Sequence, residues 1–186
     1  MIVRPITKVI SAAFVAGTLC TSVQLTAQAA DIPSLCQAGE SALLDARMGK
    51  RAGEDFKPNG KILSICTDKP KEPFGQIVYR YGSPEKVELE QIGDSAHKFF
   101  VHYLFDKPVG FSTVAFMRGK IGYYVTEATG MGQGIRLVVM DGKKKLAELE
   151  SPDNDHYQST LFSIEFEKLK SPVFQKKDLS SVILMN

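Results

Sequence analysis

Short segments rich in β-branched and aromatic residues, each ended by a glycine, proline or aspartate turn, recur along most of this chain. In residues 86–92 (KVELEQI), apolar and charged side chains alternate with the period of two that a half-buried strand requires. Residues 97–105 (HKFFVHYLF) have the composition of a more deeply buried strand, and Asp141-Gly142 is a strong hairpin signal. No segment before residue 150 carries an apolar stripe at helical spacing, so the pattern predicts a mainly β fold.

The turns divide the first 150 residues into about nine predicted strands. They cover residues 41–48, 61–67, 75–81, 86–92, 97–105, 111–118, 121–126, 134–140 and 145–150. Many short strands with tight turns are typical of an antiparallel β-barrel or sandwich. Residues 161–169 (LFSIEFEKL) fit either a strand or a short helix, so we expect a short C-terminal helix or an extra strand.

The first thirty residues have the layout of a secretory signal peptide. Arg4 and Lys8 precede an uncharged apolar run over residues 9–19, and Ala27-Gln28-Ala29 forms a cleavage-site pattern. The apolar run is too short to span a bilayer. We therefore expect residues 1–30 to be removed. Residues 31–186 are then a single β domain in the bacterial periplasm or outside the cell.

The charge balance of this domain is even. The leader holds two of the 23 basic residues and no acidic residue, which leaves 21 of each sign in residues 31–186. An even balance argues against nucleic-acid binding, which needs a basic face, and against electrostatic attachment to a membrane. The lysine run at residues 143–145 is interpreted as a solvated turn between two strands.

Two cysteines remain after the leader, Cys36 and Cys66. In an oxidising compartment two cysteines usually pair, and the chain has no Cys-x-x-Cys motif. A disulfide between them would close a loop of roughly 30 residues and stabilise the fold by about 2–4 kcal/mol. A catalytic thiol is the alternative interpretation.

Residues 126–136 (TEATGMGQGIR) contain three alternating glycines, Gly130, Gly132 and Gly134. A phosphate-binding glycine loop follows a parallel strand and opens a helix, whereas both flanks of this loop are predicted strands. The sequence therefore predicts a flexible hairpin connection. Loops on rigid β scaffolds often carry binding contacts, so Glu127, Met131 and Arg136 join the glycines as candidate partner-binding residues.

The search for catalytic and metal-binding patterns finds little. The chain has no nucleophile elbow and no zinc-protease motif. His97 and His102 are five positions apart, which places them on opposite faces of a strand and argues against a shared metal. Glu88 and Glu90 lie two apart and could form a carboxylate pair, but a solvated sheet face explains them more simply. We predict no enzyme activity, no cofactor and no metal.

The segment Tyr79-Arg80-Tyr81 has two interpretations. Tyr and Arg are enriched at protein interfaces, which makes Arg80 a further candidate for partner binding. The simpler interpretation places both tyrosines in the core and Arg80 outside.

Several stretches together resemble a family of small secreted bacterial β proteins, most of which have no assigned activity. The shared pattern is C-x-x-G-E, then G-K-x-x-S-x-C, then Y-R-F/Y-G. It falls on Cys36, Gly39, Glu40, Gly60, Lys61, Ser64, Cys66, Tyr79, Arg80, Tyr81 and Gly82. The resemblance implies a secreted β fold and carries no activity with it. In type alone, the chain is also similar to small periplasmic inhibitors of lysozyme.

These observations favour a non-enzymatic periplasmic binding protein whose partner is another protein. By class, we expect an inhibitor or immunity-type protein that acts on an envelope or peptidoglycan hydrolase. The alternative is a carrier that holds a small ligand inside the barrel, lined by Phe99, Val101, Tyr103, Val114, Phe116 and Tyr124.

Overall fold

The computed structural model describes residues 32–53, 55–69, 71–130, 132–164 and 171–183. The expected signal peptide lies outside these residues. The first nine strands are β1 (Ser41–Ala52), β2 (Asp55–Thr67), β3 (Ile77–Ser83), β4 (Lys86–Gly93), β5 (Phe99–Asp106), β6 (Val109–Arg118), β7 (Ile121–Thr129), β8 (Gly134–Asp141) and β9 (Lys144–Ser151). The C-terminal part holds β10 (Tyr157–Ser159), a 3-10 turn (Leu161–Ser163), β11 (Phe174–Lys176) and the short helix α1 (Ser180–Ile183).

These strands form one sheet in the order β11-β5-β6-β7-β8-β9-β1-β2-β3-β4, and β10 pairs with β1. Neighbouring strands are antiparallel except β11, which runs parallel to β5. The sheet curls on itself, since the Tyr79 ring on β3 lies 4.9 Å from the Phe116 ring on β6. Among the described residues β4 and β11 are not hydrogen-bonded to each other, so the barrel-like sheet is open. The mainly β prediction is confirmed, and the C-terminal part contains both an extra strand and a short helix.

The nine predicted strands are all present, and the largest difference in their ends lies in the first hairpin. β1 runs on to Ala52 and β2 begins at Asp55, so the two strands extend well past the predicted ends. The extension is exposed, and a register shift lies between Met48 and Gly49. Because its side chains are mostly polar and Pro58 interrupts it, alternation could not identify it.

The core lies inside the curl and is rich in aromatic side chains. Phe116 stacks on Tyr123 with 4.8 Å between ring centroids and on Phe99 with 5.2 Å. Val101 and Val114 belong to the same buried cluster. Burying each such side chain contributes about 1.5–3 kcal/mol.

The residues expected to line a ligand cavity therefore pack against one another. Tyr103 is partly buried against this core, whereas Tyr124 packs with Ala115 and Leu179 in a separate cluster.

Residues 32–40 cross the outer face of β1, β2 and β3, and we call this segment the N-terminal clasp. The disulfide Cys36–Cys66 ties it to β2, as the sequence predicts. The Leu35 amide donates to Ser64 Oγ at 2.9 Å, and Ser34 Oγ donates to Asp45 Oδ1 at 2.9 Å. Burial raises the pKa of Asp45, although hydrogen bonds from both serines oppose the shift.

Arg80 is buried beneath this clasp, so the expectation that it lies outside is wrong. Its side chain is 4% exposed, and its guanidinium contacts Glu40 Oε2 at 2.5 Å and Glu90 Oε2 at 2.7 Å. A third bond joins Arg80 to the carbonyl of Leu35. Alternation assigned the correct face, but the clasp covers that face. The hydrogen bond from Arg80 lowers the pKa of Glu40.

Candidate functional site

The glycine loop is a hairpin connection, as predicted. β7 and β8 are antiparallel and pair as far as Ala128 and Gly134. No helix follows the loop, so its backbone does not have the geometry of a phosphate-binding loop. Met131, at its tip, lies outside the described residues.

The glycines of this loop are required by close approach as well as by backbone conformation. Gly130 has φ +82°, and a Cβ there would lie 2.0 Å from the Pro108 carbonyl oxygen. Gly134 approaches the Ser151 carbonyl, with 2.8 Å to the position of a Cβ. Gly132 also has positive φ but faces open space. Gly130 and Gly134 therefore pack against the β5–β6 turn and the end of β9 respectively, whereas Gly132 does not pack against a neighbouring element.

Gln133 braces the loop against the turn that precedes β10. Its amide donates to Asn154 Oδ1 at 2.8 Å, and it hydrogen-bonds the Tyr157 hydroxyl. Between these elements lies a cleft of about 460 Å³, which we call the rim cleft. It is lined by Glu127, Thr129, Gln133, Asn154, Tyr157, Gln158 and Ser159. Its lining side chains are almost all hydrogen-bonding groups.

Glu127 lies in the wall of the rim cleft and is only 6% exposed. Its Oε2 accepts hydrogen bonds from Ser159 Oγ at 2.8 Å and from the Phe162 amide at 2.9 Å. Burial raises the pKa of Glu127 because it disfavours the charged form, although these two bonds act in the opposite direction. The carboxyl is thus held in place by two donors within a poorly solvated wall.

Two buried serines share the inward face with Glu127. Ser112, on β6, is the cross-strand partner of Glu127. On the other side Glu127 pairs with Ile135 of β8, which in turn pairs with Ser151 of β9. Both hydroxyl oxygens are buried without a hydrogen-bond partner in the described part of the chain. Native buried polar groups are nearly always paired, so unpaired ones beside a carboxyl mark this end of the barrel as unusual.

Arg136 does not belong to the rim cleft, although the sequence places it beside the loop. It is the cross-strand partner of Thr126 and Glu150, so its side chain lies on the face opposite that of Glu127. Its Nη1 lies 3.8 Å from Glu148 Oε1.

Of the predicted partner-binding residues, the structure brings together Glu127 and the glycines. Arg80 and Arg136 lie elsewhere. Sequence reasoning missed Gln133, Asn154 and Tyr157, whose proximity depends on the pairing of β10 with β1.

The histidines and paired glutamates do not form a recognisable catalytic site. Ser180 Oγ lies 3.5 Å from His102 Nε2 and Asp178 Oδ1 lies 3.9 Å from His102 Nδ1. Ser180 Oγ donates to Asp178 Oδ1 at 2.5 Å, however, and His102 Nδ1 is closer to the Lys177 carbonyl oxygen, at 3.2 Å. Glu88 and Glu90 are each engaged in an ion pair, with Lys61 and Arg80 respectively.

One group of three potential metal ligands occurs among the described residues, and it consists of Cys36, Glu40 and Cys66. Its two sulfur atoms are bonded to each other, so they are not available as thiolate ligands.

Comparisons with protein-family models, with curated proteins and with solved structures found no match to this chain. Among the described residues, no helix has the length and apolar character needed to cross a bilayer. A disulfide-bonded β fold is consistent with a compartment outside the cytoplasm, where disulfides persist.

Proposed function

We propose that this chain is a non-enzymatic binding protein of the bacterial periplasm or exterior, and that it engages another protein through the rim cleft. The observation that carries the proposal is the braced glycine hairpin beside a buried carboxyl. Gln133 fixes the hairpin to Asn154 and Tyr157, and Glu127 is held by two donors. A site that is ordered before binding loses little conformational entropy when a partner docks.

The chemistry of the cleft favours a polar or cationic side chain of the partner. Its walls offer amide, hydroxyl and phenol groups together with one carboxyl. A lysine or arginine side chain that enters the cleft would favour the charged form of Glu127, because a neighbouring cation stabilises the carboxylate.

By class, we propose that the partner is an envelope or peptidoglycan hydrolase, which this chain inhibits or neutralises. This step rests on the expected export, the disulfide-bonded β fold and the similarity in type to periplasmic lysozyme inhibitors. A carrier that uses the barrel interior is less well supported, because Phe99, Phe116 and Tyr123 fill that space with stacked rings.

The test is inhibition and calorimetric binding with residues 31–186 against a panel of purified peptidoglycan hydrolases. We expect stoichiometric inhibition of one class, weakened about tenfold or more by Gln133→Ala, which removes the brace of the hairpin. Gln37→Ala, a change of an exposed glutamine in the clasp, is the matched control and should have no effect.

If Gln133→Ala binds the hydrolase as tightly as the unmodified protein does, the rim cleft is not part of the interface. If no hydrolase in the panel is bound, the hydrolase assignment is wrong. Native mass spectrometry of the unmodified protein then tests the carrier alternative through a co-purified small ligand.

A further inference from the structure

The edge of β9 that faces β1 is mostly unpaired. On its other side β9 pairs with β8 from Lys144 to Ser151, with one bulge at Leu146. Towards β1 it makes a single bridge, Gly49 with Glu150. Within the described residues, no strand pairs with this edge at residues 144–149. Six residues of strand are about 20 Å long, so a substantial row of main-chain groups is open.

The β1–β2 hairpin explains why the two strands separate. Pairing shifts from Met48 with Lys61 to Gly49 with Pro58, which is a bulge in β2. Gly49 is needed there because a Cβ would lie 2.3 Å from the Lys57 carbonyl oxygen. Bulges bend the strand that contains them. Beyond Gly49 the hairpin therefore no longer follows β9.

The separation leaves an open cleft of about 460 Å³, which we call the strand cleft. It is lined by residues 49–51 of β1 and residues 145–150 of β9. Leu146 lies in this cleft with 48% of its surface exposed. The strand cleft therefore combines an unpaired strand edge with an exposed apolar side chain. It is a different surface from the rim cleft, because the two share no lining residue.

Basic residues outnumber acidic ones in and beside the strand cleft. Its lining includes Lys50, Arg51 and Lys145 together with Glu148 and Glu150. Lys57 is the cross-strand partner of Lys50, and Lys144 directly precedes Lys145 in β9. The acidic side chains on β9 are already engaged, Glu148 with Arg136 and Lys145, and Glu150 with Arg51. Lys50, Lys57 and Lys144 have no carboxylate within ion-pair distance among the described residues. An occupant with negative charge is therefore favoured.

We propose that the strand cleft binds an extended, acidic segment of a partner protein, which adds to β9 as a strand. Main-chain hydrogen bonds to residues 144–149 supply the affinity, as in other cases of β-strand addition. The lysines supply the selection, because they attract carboxylates and repel basic strands. An apolar side chain in the segment packs on Leu146.

The probe is a fluorescent synthetic heptapeptide, Asp-Val-Glu-Val-Asp-Val-Glu, with blocked ends, titrated onto residues 31–186 at low salt. We expect saturable binding, with changes in amide resonances and slowed amide exchange at residues 144–149. The same peptide with lysine at every acidic position should not bind. A version N-methylated at alternate residues along one edge should also fail, since it cannot complete the ladder.

The charge test is the double variant Lys50→Glu/Lys144→Glu, and Lys86→Glu/Lys98→Glu is the control with the same change in net charge. Lys86 and Lys98 are exposed and lie on other strands and loops. We expect the first variant to lose affinity by on the order of tenfold at low salt and the control to lose little.

Four results would overturn the proposal: no saturable binding at millimolar peptide, equal binding of the N-methylated peptide, resonance changes confined to the rim cleft, or self-association that consumes the β9 edge. The first three follow from the titration, and sedimentation of the protein alone gives the fourth. Gln133 does not line the strand cleft, so Gln133→Ala should leave peptide binding unchanged. The hydrolase assay with this variant therefore tests the rim cleft, and the peptide titration tests strand addition.

Discussion

Removing the Cys36–Cys66 disulfide tests how far the clasp depends on its covalent tie. The bond closes a loop with a sequence separation of 30 residues. For a loop of that length, the chain-entropy relation gives about 12 cal/mol/K, or about 3.6 kcal/mol at 25 °C. Domains of this size have a total unfolding free energy of about 5–15 kcal/mol, so the loss is a large fraction of it. The melting temperature should fall by about 7–14 °C.

The measurement is urea unfolding of the Cys36→Ala/Cys66→Ala variant beside the unmodified protein, followed by intrinsic tyrosine fluorescence. Alanine is preferred to serine because Cys66 is fully buried and a hydroxyl there would add its own penalty. An unchanged urea midpoint would refute the reasoning. A loss well beyond about 5 kcal/mol would show that the clasp detaches and takes the contacts of Arg80 with it.

Four further changes test the remaining assignments in urea unfolding. Arg80→Ala should destabilise by about 2–4 kcal/mol because it leaves partly buried carboxylates without their cation, and Arg80→Met should lose nearly as much because a neutral side chain leaves the same carboxylates unpaired; full recovery of stability by Met would contradict the ion-pair account. The raised pKa of Glu127 means that the contribution of this group to stability is greatest below its ordinary pKa and is lost as pH rises through the raised one. Glu127→Gln should therefore flatten the stability profile above the ordinary pKa of a glutamate, and an unchanged slope would be evidence against burial of the charge. Gly130→Ala should cost about 2–4 kcal/mol, whereas Gly132→Ala, with open space around it, should cost about 1–2 kcal/mol; similar losses would mean that the close approach is unimportant. Tyr79→Phe removes a buried hydroxyl that has no partner among the described residues, so stability should be unchanged or rise by up to about 1 kcal/mol, and a clear loss would reveal a hidden hydrogen bond.

Most of the strands could be predicted from local alternation, because the apolar and polar residues of a half-buried strand alternate between its buried and exposed faces. The same alternation indicates which face of β7 Glu127 occupies. Counting by two from Tyr123 and Val125, which both lie in or against the core, leads directly to this glutamate. A carboxylate ordinarily favours solvent, and Glu127 is buried because Ser159 and the Phe162 amide, both distant in sequence, donate hydrogen bonds to it.

The remaining features depend on pairings that no local pattern records. β10 is three residues long and is a strand only because it lies against β1. The rim cleft needs that pairing, since Tyr157 and Ser159 are in β10. Arg80 is buried because a segment some forty residues earlier in the chain folds over it. Such contacts are tertiary, and they override the exposure that a single strand pattern predicts.

β1 pairs with β2 on one side and with β9 and β10 on the other, and this position limits the order in which the chain can fold. β2 is next to β1 in sequence, but Leu44 pairs with Ser159, about 115 positions later. Non-local strand pairing of this kind places folding at the slow end of the range for small domains. During synthesis from the N-terminus, β1 has one bare edge until residues 150–160 arrive. The curled sheet can therefore be completed only when nearly the whole chain is present, and the intermediate that precedes this pairing is the species most exposed to aggregation.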